Sequence, residues 1–403
     1  MQVYQDLRAR LANGRVIGYS EYTAPEARSS TIQLDDQGHE VVPKTIVFIP
    51  GTPGCRKFNP LAAAAAAESF PADVRLIVME RPGIGLSSAP GAAAFTSVTS
   101  FRTSATGRST KRPSHSGSLP TVAAAEAAAA LQEASASVHS AGQPPSSAHQ
   151  ADGSQPQPPH PMTDFAELFG DFCKHLRLDR VWVVGYSSGT PYALAAAHAW
   201  GKQHWHVPAE AGGSGRTPPG QGLVAGVALV SAISPRFQGV QQGMSPVFRF
   251  AYFCTRRIKW LVRWAIGHEA AAAAKDPAKA LKDGFKPYTR ASPADAAALK
   301  RPEVESLFLE SYKDGVAHNV TPTTVRETLA VGQPWPFDLP AISSVPVAIW
   351  QGSQDVGTTP AMAQYLKENV PGCKQIRVVP DAGHLVLFDV LCTEVVPWLL
   401  QQQ

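Results

Sequence analysis

An apolar, β-branched run that stops at a Gly-x-Ser-x-Gly motif and passes directly into an Ala-rich segment constrains this chain most. The run covers residues 181–184, the motif 185–189, and the predicted helix 191–200, where Pro191 falls in the first turn and is tolerated. A buried strand followed at once by a helix forces a sharp turn, and the flanking glycines leave room for it. The sequence therefore predicts that Ser187 is held exposed as a nucleophile.

Five further strand-like runs predict the fold class. They are mostly continuous apolar runs, which is typical of strands covered on both faces. The runs are 45–49, 74–79, 223–230, 345–350 and 375–379. With helical stretches between them, they predict an α/β fold with a mostly parallel central sheet and helices on both faces. Residues 14–19 and 32–34 predict an opening hairpin, and a helix is predicted from Thr163, with Thr163 or Asp164 as its cap.

Composition divides the 403-residue chain, which is 44% hydrophobic and long enough to bury a large core. Residues 88–161 are rich in Ser, Ala, Pro and Gly and predict a disordered low-complexity insertion, and 202–222 predict a loop insertion. The strand signal vanishes over 235–339, where helical patterns predict a cap. The core that contains the sheet is then expected from residues 1–87, 162–234 and 340–403.

Charge and cysteine content exclude several classes of protein. A net charge of +4, without a basic stripe interleaved with aromatic residues, does not favour nucleic-acid binding. The five cysteines are scattered without Cys-x-x-Cys spacing, which favours neither a disulfide framework nor a metal site. No secretory signal or membrane span is recognised, so an intracellular, cytoplasmic location is expected, with an organelle left open.

A nucleophilic serine needs a base that is itself oriented by an acid. His384 follows the last predicted strand, directly after a glycine, and is the expected base. Asp355 follows the preceding strand and can approach the far nitrogen of the imidazole ring. Asp381 and Asp338 are the alternatives, although Asp381 lies three residues before His384 and is expected to shape that turn.

Backbone N–H groups that stabilise a developing oxyanion are expected at two places. One is Ser188, which directly follows the predicted nucleophile. The other is Thr52, in the Gly- and Pro-rich loop 50–54 that follows strand 45–49.

The first cap helix, near residues 249–266, has an aromatic stripe next to an apolar face and a basic face opposite. One interpretation is that its apolar side packs over the core and lines a substrate pocket. The predicted substrate-binding residues are then Phe253, Trp260, Trp264 and Trp335. The other interpretation is that the helix rests on an anionic membrane surface.

Several of these segments resemble motifs of the α/β-hydrolase fold superfamily, of the capped, lipase/esterase-like type. Residues 50–54 resemble its His-Gly-x-Pro-Gly loop, and 80–87 resemble its Asp-x-Pro-Gly-x-Gly-x-Ser segment. The motif at 185–189 is similar to its nucleophile elbow, and 350–355 with 383–384 match its acid and base. The resemblance covers about residues 14–87 and 163–400. Pro50 stands where the family has His, and Glu80 where it has Asp.

The resemblance implies a serine hydrolase that works through an acyl-enzyme, without a metal or other cofactor. Ser187 would attack, His384 would relay the proton, Asp355 would orient His384, and Ser188 and Thr52 would hold the oxyanion. A serine nucleophile argues against epoxide hydrolases and haloalkane dehalogenases, which attack with Asp. A small-molecule apolar carboxylester or lipid ester is the favoured substrate, with thioesters, amides and C–C bonds left open.

A different class of function also fits this fold, which hosts ligand receptors and inactive interaction proteins. The alternative prediction is therefore a catalytically weak or inactive receptor or scaffold. The oligomeric state is left open.

Overall fold

The computed structural model describes residues 2–23, 43–52, 54–90, 159–201 and 222–402. The predicted strand at 32–34, and most of the predicted insertions 88–161 and 202–222, lie outside the described residues.

The central element is an eight-stranded sheet in the order β1-β2-β4-β3-β5-β6-β7-β8. Its strands are β1 (Gln2–Arg10), β2 (Val16–Thr23), β3 (Lys44–Ile49), β4 (Val74–Met79), β5 (Val181–Tyr186), β6 (Val224–Val230), β7 (Val347–Gly352) and β8 (Cys373–Val379). The pairs β1/β2 and β2/β4 are antiparallel, and all other neighbours are parallel. The predicted mostly parallel sheet is confirmed.

Helices cover both faces of this sheet. They are α1 (Pro161–His175), α2 (Thr190–Trp200), α3 (Pro246–Arg257), α4 (Lys259–Lys275), α5 (Pro277–Ala291), α6 (Pro293–Ala298), α7 (Pro302–Ala317), α8 (Thr321–Val331), α9 (Pro360–Asn369), α10 (Leu387–Val390) and α11 (Val396–Leu400). Side chains alternate along β3, so that Val47 and Ile49 join the apolar core with α1, α2 and α9. Ile46 and Phe48 join a second core with the C-terminal helices and the helices between β6 and β7.

The described part of the opening hairpin is formed by β1 and β2. β2 pairs with β1 on one edge and with β4 on the other, while the predicted partner at 32–34 lies outside the described residues. The sequence does not predict β1, because polar residues interrupt its apolar positions. Its pairing register also shifts between Tyr4 and Leu7, where Asp6 has a φ of 58°. Such a bulge breaks the period of two by which a strand is recognised.

α1 begins earlier than predicted, because Pro161 occupies the first turn and the His160 side chain caps it by accepting the Met162 N–H. Asp164, one of the two predicted caps, is instead 2% exposed and paired with Arg15, at 3.0 Å between Arg15 Nη2 and its Oδ2.

Between β6 and β7 lie six helices, α3 to α8, and we call this part the cap. The single helix predicted near 249–266 is wrong: it breaks at Ile258, whose φ of −130° and ψ of 59° are not helical, and forms α3 and α4. Within the part of the chain that the structure describes, no helix has the length and apolarity needed to cross a membrane.

Candidate active site

Ser187 occupies the turn between β5 and α2 with a φ of 51°, a left-handed backbone conformation that is strained for a serine. The glycines on either side are needed because other groups approach closely. A Cβ on Gly185 would lie 2.8 Å from Ala193 Cβ, and one on Gly189 would lie 2.1 Å from the carbonyl oxygen of Ile49. The turn therefore depends on the Gly-x-Ser-x-Gly spacing.

A chain of hydrogen bonds connects Ser187 with residues from two other loops. His384, in the loop after β8, has its Nε2 at 3.0 Å from Ser187 Oγ. Its Nδ1 lies 2.8 Å from Oδ2 of Asp355, in the loop after β7. A proton on Nδ1 fits both contacts: Nδ1 then donates to the Asp355 carboxylate, and Nε2 accepts a hydrogen bond from the Ser187 hydroxyl. The structure thus brings together the three residues that the sequence selected as nucleophile, base and acid.

The carboxylate of Asp355 is held in one orientation. It is 2% exposed, and its Oδ1 accepts the backbone N–H groups of Gly357 and Thr358, both at 2.9 Å. The Thr358 hydroxyl donates to Oδ2 at 2.7 Å. The alternatives lie elsewhere: Asp381 is exposed and accepts from Gln354, and Asp338 is exposed before a short 3-10 turn.

The environment of His384 raises its pKa above the ordinary value. Burial of the ring acts in the opposite direction, because it disfavours the charged form. The negative charge and hydrogen bond of Asp355, with the charge of Asp295, outweigh burial. The site therefore stabilises an imidazolium once His384 has accepted a proton.

Asp295, on α6 of the cap, was not predicted from the sequence. It is 1% exposed, and its carboxylate accepts the backbone N–H groups of His384 and Leu385, both at 2.8 Å. A Cβ on Gly383 would lie 2.1 Å from Asp295 Oδ2, so the glycine lets the carboxylate approach. The Ser292-x-x-Asp295 pattern signals a helix start, but no spacing in the sequence links it to His384.

Aromatic and hydroxyl groups also hold the His384 loop. The Tyr288 ring stacks on the imidazole with centroids 4.4 Å apart. The backbone carbonyl of His384 accepts from Ser231 Oγ at 2.8 Å and from Tyr186 Oη at 3.3 Å. The ring is thereby fixed between cap and core.

Thr52 and Ser188, the two predicted oxyanion-hole residues, lie next to each other. The backbone N–H of Thr52 donates to Ser188 Oγ at 2.7 Å, and the two hydroxyl oxygens are 2.9 Å apart. The Thr52 amide is therefore occupied by a hydroxyl, which a substrate carbonyl would have to replace.

Arg81 supports the loop that carries Thr52. Its buried guanidinium donates to the Pro50 carbonyl, lies 3.4 Å from Thr52 Oγ1, and forms an ion pair with Glu327 of α8, at 2.8 Å between Nε and Oε1. Pro50 has no side-chain donor of its own, so the loop is held by the hydrogen bond from Arg81 to the Pro50 carbonyl.

A cavity of about 470 Å³ opens above Ser187 and His384, and the cap supplies most of its wall. Ile266, Ala270 and Ala273 of α4 contribute apolar surface. A polar pair also lines it, with Tyr312 Oη donating to Glu269 Oε1 at 2.8 Å.

The predicted substrate-binding residues are not in this cavity. Phe253 of α3 and Trp260 and Trp264 of α4 are exposed, while Ile266, Ala270 and Ala273 of α4 face the cavity. Trp335 packs against Phe337, with ring centroids 5.6 Å apart, and lines a separate cavity. The sequence identified the cap as aromatic but could not tell its inner from its outer face.

Cys55, Glu80 and Asp314 are the only described residues grouped closely enough to share a metal ion. Arg56 occupies that position instead: it donates to Glu80 at 2.7 Å and to Asp314 at 2.9 Å. Burial raises the pKa of the Cys55 thiol, which disfavours the thiolate that binds metals. The cluster therefore serves as an ionic link between core and cap.

Comparison with known proteins agrees with this architecture. The model of the alpha/beta hydrolase family matches residues 46–396. No curated protein sequence matches the chain. An esterase from Exiguobacterium antarcticum is similar in structure, with a TM-score of 0.53, 15% identity, and coverage of 98% of this chain and 100% of its own.

Two further solved structures are similar. The epoxide hydrolase CorEH has a TM-score of 0.51 at 14% identity, covering 100% of this chain and 98% of its own. A thermophilic esterase from Thermogutta terrifontis has a TM-score of 0.46 at 14% identity, covering 98% of both chains. At these identities, the two structures with TM-scores above 0.5 support the fold alone. The extent of the family match, together with the sheet order and the turn at Ser187, leads to one conclusion: this chain belongs to the alpha/beta hydrolase family.

Proposed function

We propose that the protein is a serine hydrolase that cleaves carboxylic esters through an acyl-enzyme intermediate. The observation that carries the proposal is the hydrogen-bonded chain from Asp355 through His384 to Ser187, which opens into the cavity of about 470 Å³. Membership of a hydrolase family supports the general reaction.

In the proposed reaction, Ser187 Oγ attacks the ester carbonyl carbon while its proton passes to His384 Nε2. The carbonyl oxygen becomes an oxyanion, which the backbone N–H groups of Ser188 and Thr52 stabilise. The imidazolium then gives its proton to the leaving alcohol oxygen as the C–O bond breaks. Water then gives a proton to His384 and attacks the carbonyl carbon of the acyl-serine. The bond to Ser187 Oγ breaks, the acid is released, and His384 returns the proton to Ser187.

The cavity favours an ester with an apolar group of moderate size. Its volume lies within the usual range of about 300–1,000 Å³ for small-molecule sites. Phe285, Phe308 and Val316 add to the apolar wall supplied by α4. A serine at the elbow also separates this chain chemically from hydrolases that open epoxides with a carboxylate nucleophile.

The proposal is tested with a fluorophosphonate probe, which labels activated serines, followed by p-nitrophenyl esters from acetyl to palmitoyl. The wild type and the exposed-site control Ser343→Ala should label and turn over, whereas Ser187→Ala should do neither. Asp355→Asn should retain the fold and lose most of its rate. A wild type that neither labels nor turns over any ester contradicts the proposal.

A ligand-binding protein without turnover is the second candidate, favoured by the Ser188 hydroxyl on the Thr52 amide. It predicts that a non-hydrolysable ester analogue binds the wild type and Ser187→Ala equally, while neither protein turns over the ester. Turnover that depends on Ser187 rejects this candidate.

A further inference from the structure

Four large aromatic side chains are exposed on two consecutive cap helices, and we call them the aromatic patch. Phe250 and Phe253 on α3 are 46% and 48% exposed, and Trp260 and Trp264 on α4 are 66% and 59% exposed. They lie on both sides of the break at Ile258. Single exposed apolar residues are ordinary, but a cluster of large ones marks an interaction surface.

The aromatic patch lies within a uniformly basic stretch. Residues 246–268 contain five basic side chains and no Asp or Glu. The five, all exposed, are Arg249, Arg256, Arg257, Lys259 and Arg263. None of them forms an ion pair with another residue that the structure describes. No described carboxylate neutralises their charge, which can therefore attract an anionic partner.

We propose that the aromatic patch and its five cations bind the surface of an anionic lipid membrane. Indole and phenyl rings partition into the headgroup region, where their apolar bodies leave water. Lys and Arg at the same surface pair with lipid phosphates and anionic headgroups. The combination is that of a helix that lies on a membrane rather than crossing it.

The position of the aromatic patch relative to the cavity is consistent with this partner. α4 carries Trp260 and Trp264 outward, while its later turns line the cavity through Ile266 and Ala270. Ala270 lies six positions after Trp264, which is about 9 Å along a helix axis. A lipid ester leaving the bilayer would therefore have a short path, a consequence that rests on the proposed function; membrane binding itself does not.

Two other occupants fit the charges less well. A second copy of the chain would place two sets of five cations against each other in a symmetric interface. Residues 91–158 of this chain carry four basic and three acidic side chains, so they offer no net negative charge. An anionic surface complements the patch, and these two do not.

The experiment is co-sedimentation of the full chain with vesicles, without substrate, so that its result is independent of ester cleavage. Vesicles of phosphatidylcholine alone are compared with vesicles that also contain phosphatidylserine. We expect binding to the anionic vesicles only, weakening as salt is added. The double variant Trp260→Ser, Trp264→Ser should bind at least about tenfold more weakly. Arg256→Gln with Arg257→Gln should lower the affinity for the anionic vesicles about fivefold for each cation removed.

Matched controls come from β1, an edge strand of the sheet that carries no cap residue. Val3→Ser removes an exposed apolar side chain of β1, and Arg8→Gln with Arg10→Gln removes exposed cations there. These variants should bind as the wild type does. Equal binding to neutral vesicles, no binding to either, or undiminished binding by the tryptophan variant overturns the proposal. Light scattering that shows a wild-type dimer dissociated by the tryptophan substitutions would instead identify a second copy as the partner.

Discussion

Asp295 and His384 belong to different parts of the molecule, yet the Asp295 carboxylate accepts the backbone N–H of His384 at 2.8 Å. Its second oxygen accepts the next N–H, that of Leu385, at the same distance. A carboxylate of the cap thus fixes the backbone from which the imidazole of the core projects. Any reaction that needs His384 in place depends on this cap residue as a positioning residue.

Replacement of Asp295 by Asn should therefore lower kcat about tenfold to a hundredfold, because the amide turns an N–H donor toward one of the two backbone donors and displaces the ring. KM for a short ester should change little. Asp338→Asn removes an exposed cap carboxylate and is the control. Steady-state kinetics with p-nitrophenyl acetate measures both variants, and an unchanged kcat for Asp295→Asn would show that the contact is dispensable.

The pH dependence of kcat/KM should follow His384, whose neutral form is the base. Its pKa is raised above the ordinary 6.5, so activity should be lost as the pH falls through a value above 6.5 and be retained at higher pH. Asp295→Asn removes one of the two negative charges that raise the pKa. The acid limb of the profile should then move to lower pH, and a limb that stays in place would argue against the contribution of Asp295.

Ser188→Ala should increase kcat/KM about twofold to tenfold, because the Thr52 N–H no longer has a hydroxyl to give up before it can bind the oxyanion. Thr52→Val keeps the backbone N–H and removes only the hydroxyl near Ser188, so it separates the amide from the side chain. Should Ser188→Ala lower kcat/KM instead, the Ser188 hydroxyl itself assists the reaction.

Arg81→Met should lower the free energy of unfolding by about 3–5 kcal/mol, because it leaves buried Glu327 without its partner. Adding Glu327→Leu should restore much of that stability. The rate should stay about tenfold or more below the wild type in both variants, because the Pro50 carbonyl has lost its donor. Urea unfolding and kcat are measured side by side. Recovery of the full rate in the double variant would show that Arg81 acts only on stability.

Ala270→Phe should fill part of the cavity and shift the preferred ester toward shorter acyl chains. Activity on p-nitrophenyl acetate should change by less than about threefold, since the added ring lies on the cap wall. Ala271→Phe places the same ring one residue further along α4, on an exposed position, and should keep the wild-type preference. An identical chain-length profile in both variants would mean that substrates do not use this wall.

The elements that carry Ser187, Asp355 and His384 could be predicted from the sequence because buried parallel strands produce apolar runs, and a parallel sheet brings their carboxyl ends to one edge. The boundaries of β3 and β4 differ from the prediction by one residue at most. β1 was missed for the opposite reason, since its polar residues and its bulge at Asp6 hide the alternation.

The cap was harder to predict, because its contacts join residues without any regular spacing. Asp295 reaches the loop after β8, and Glu327 reaches Arg81 after β4. The prolines that begin α3, α5, α6 and α7 mark where helices start, but not which face turns inward. Because the inward face could not be identified, the sequence predicted Trp260 and Trp264 in the pocket, whereas both are exposed.

The reach of Asp295 and Glu327 into the core bears on how substrate preference can change in this protein. A graft that exchanges residues 235–339 for the equivalent helices of another hydrolase would bring a new pocket, but it would also remove the groups that hold the His384 loop and Arg81. Such a chimaera should turn over every substrate at least about tenfold more slowly unless both carboxylates are rebuilt. Exchange of the whole cap is therefore compatible with full activity only where both carboxylates are kept, whereas point replacements along the wall leave the support of the reaction in place.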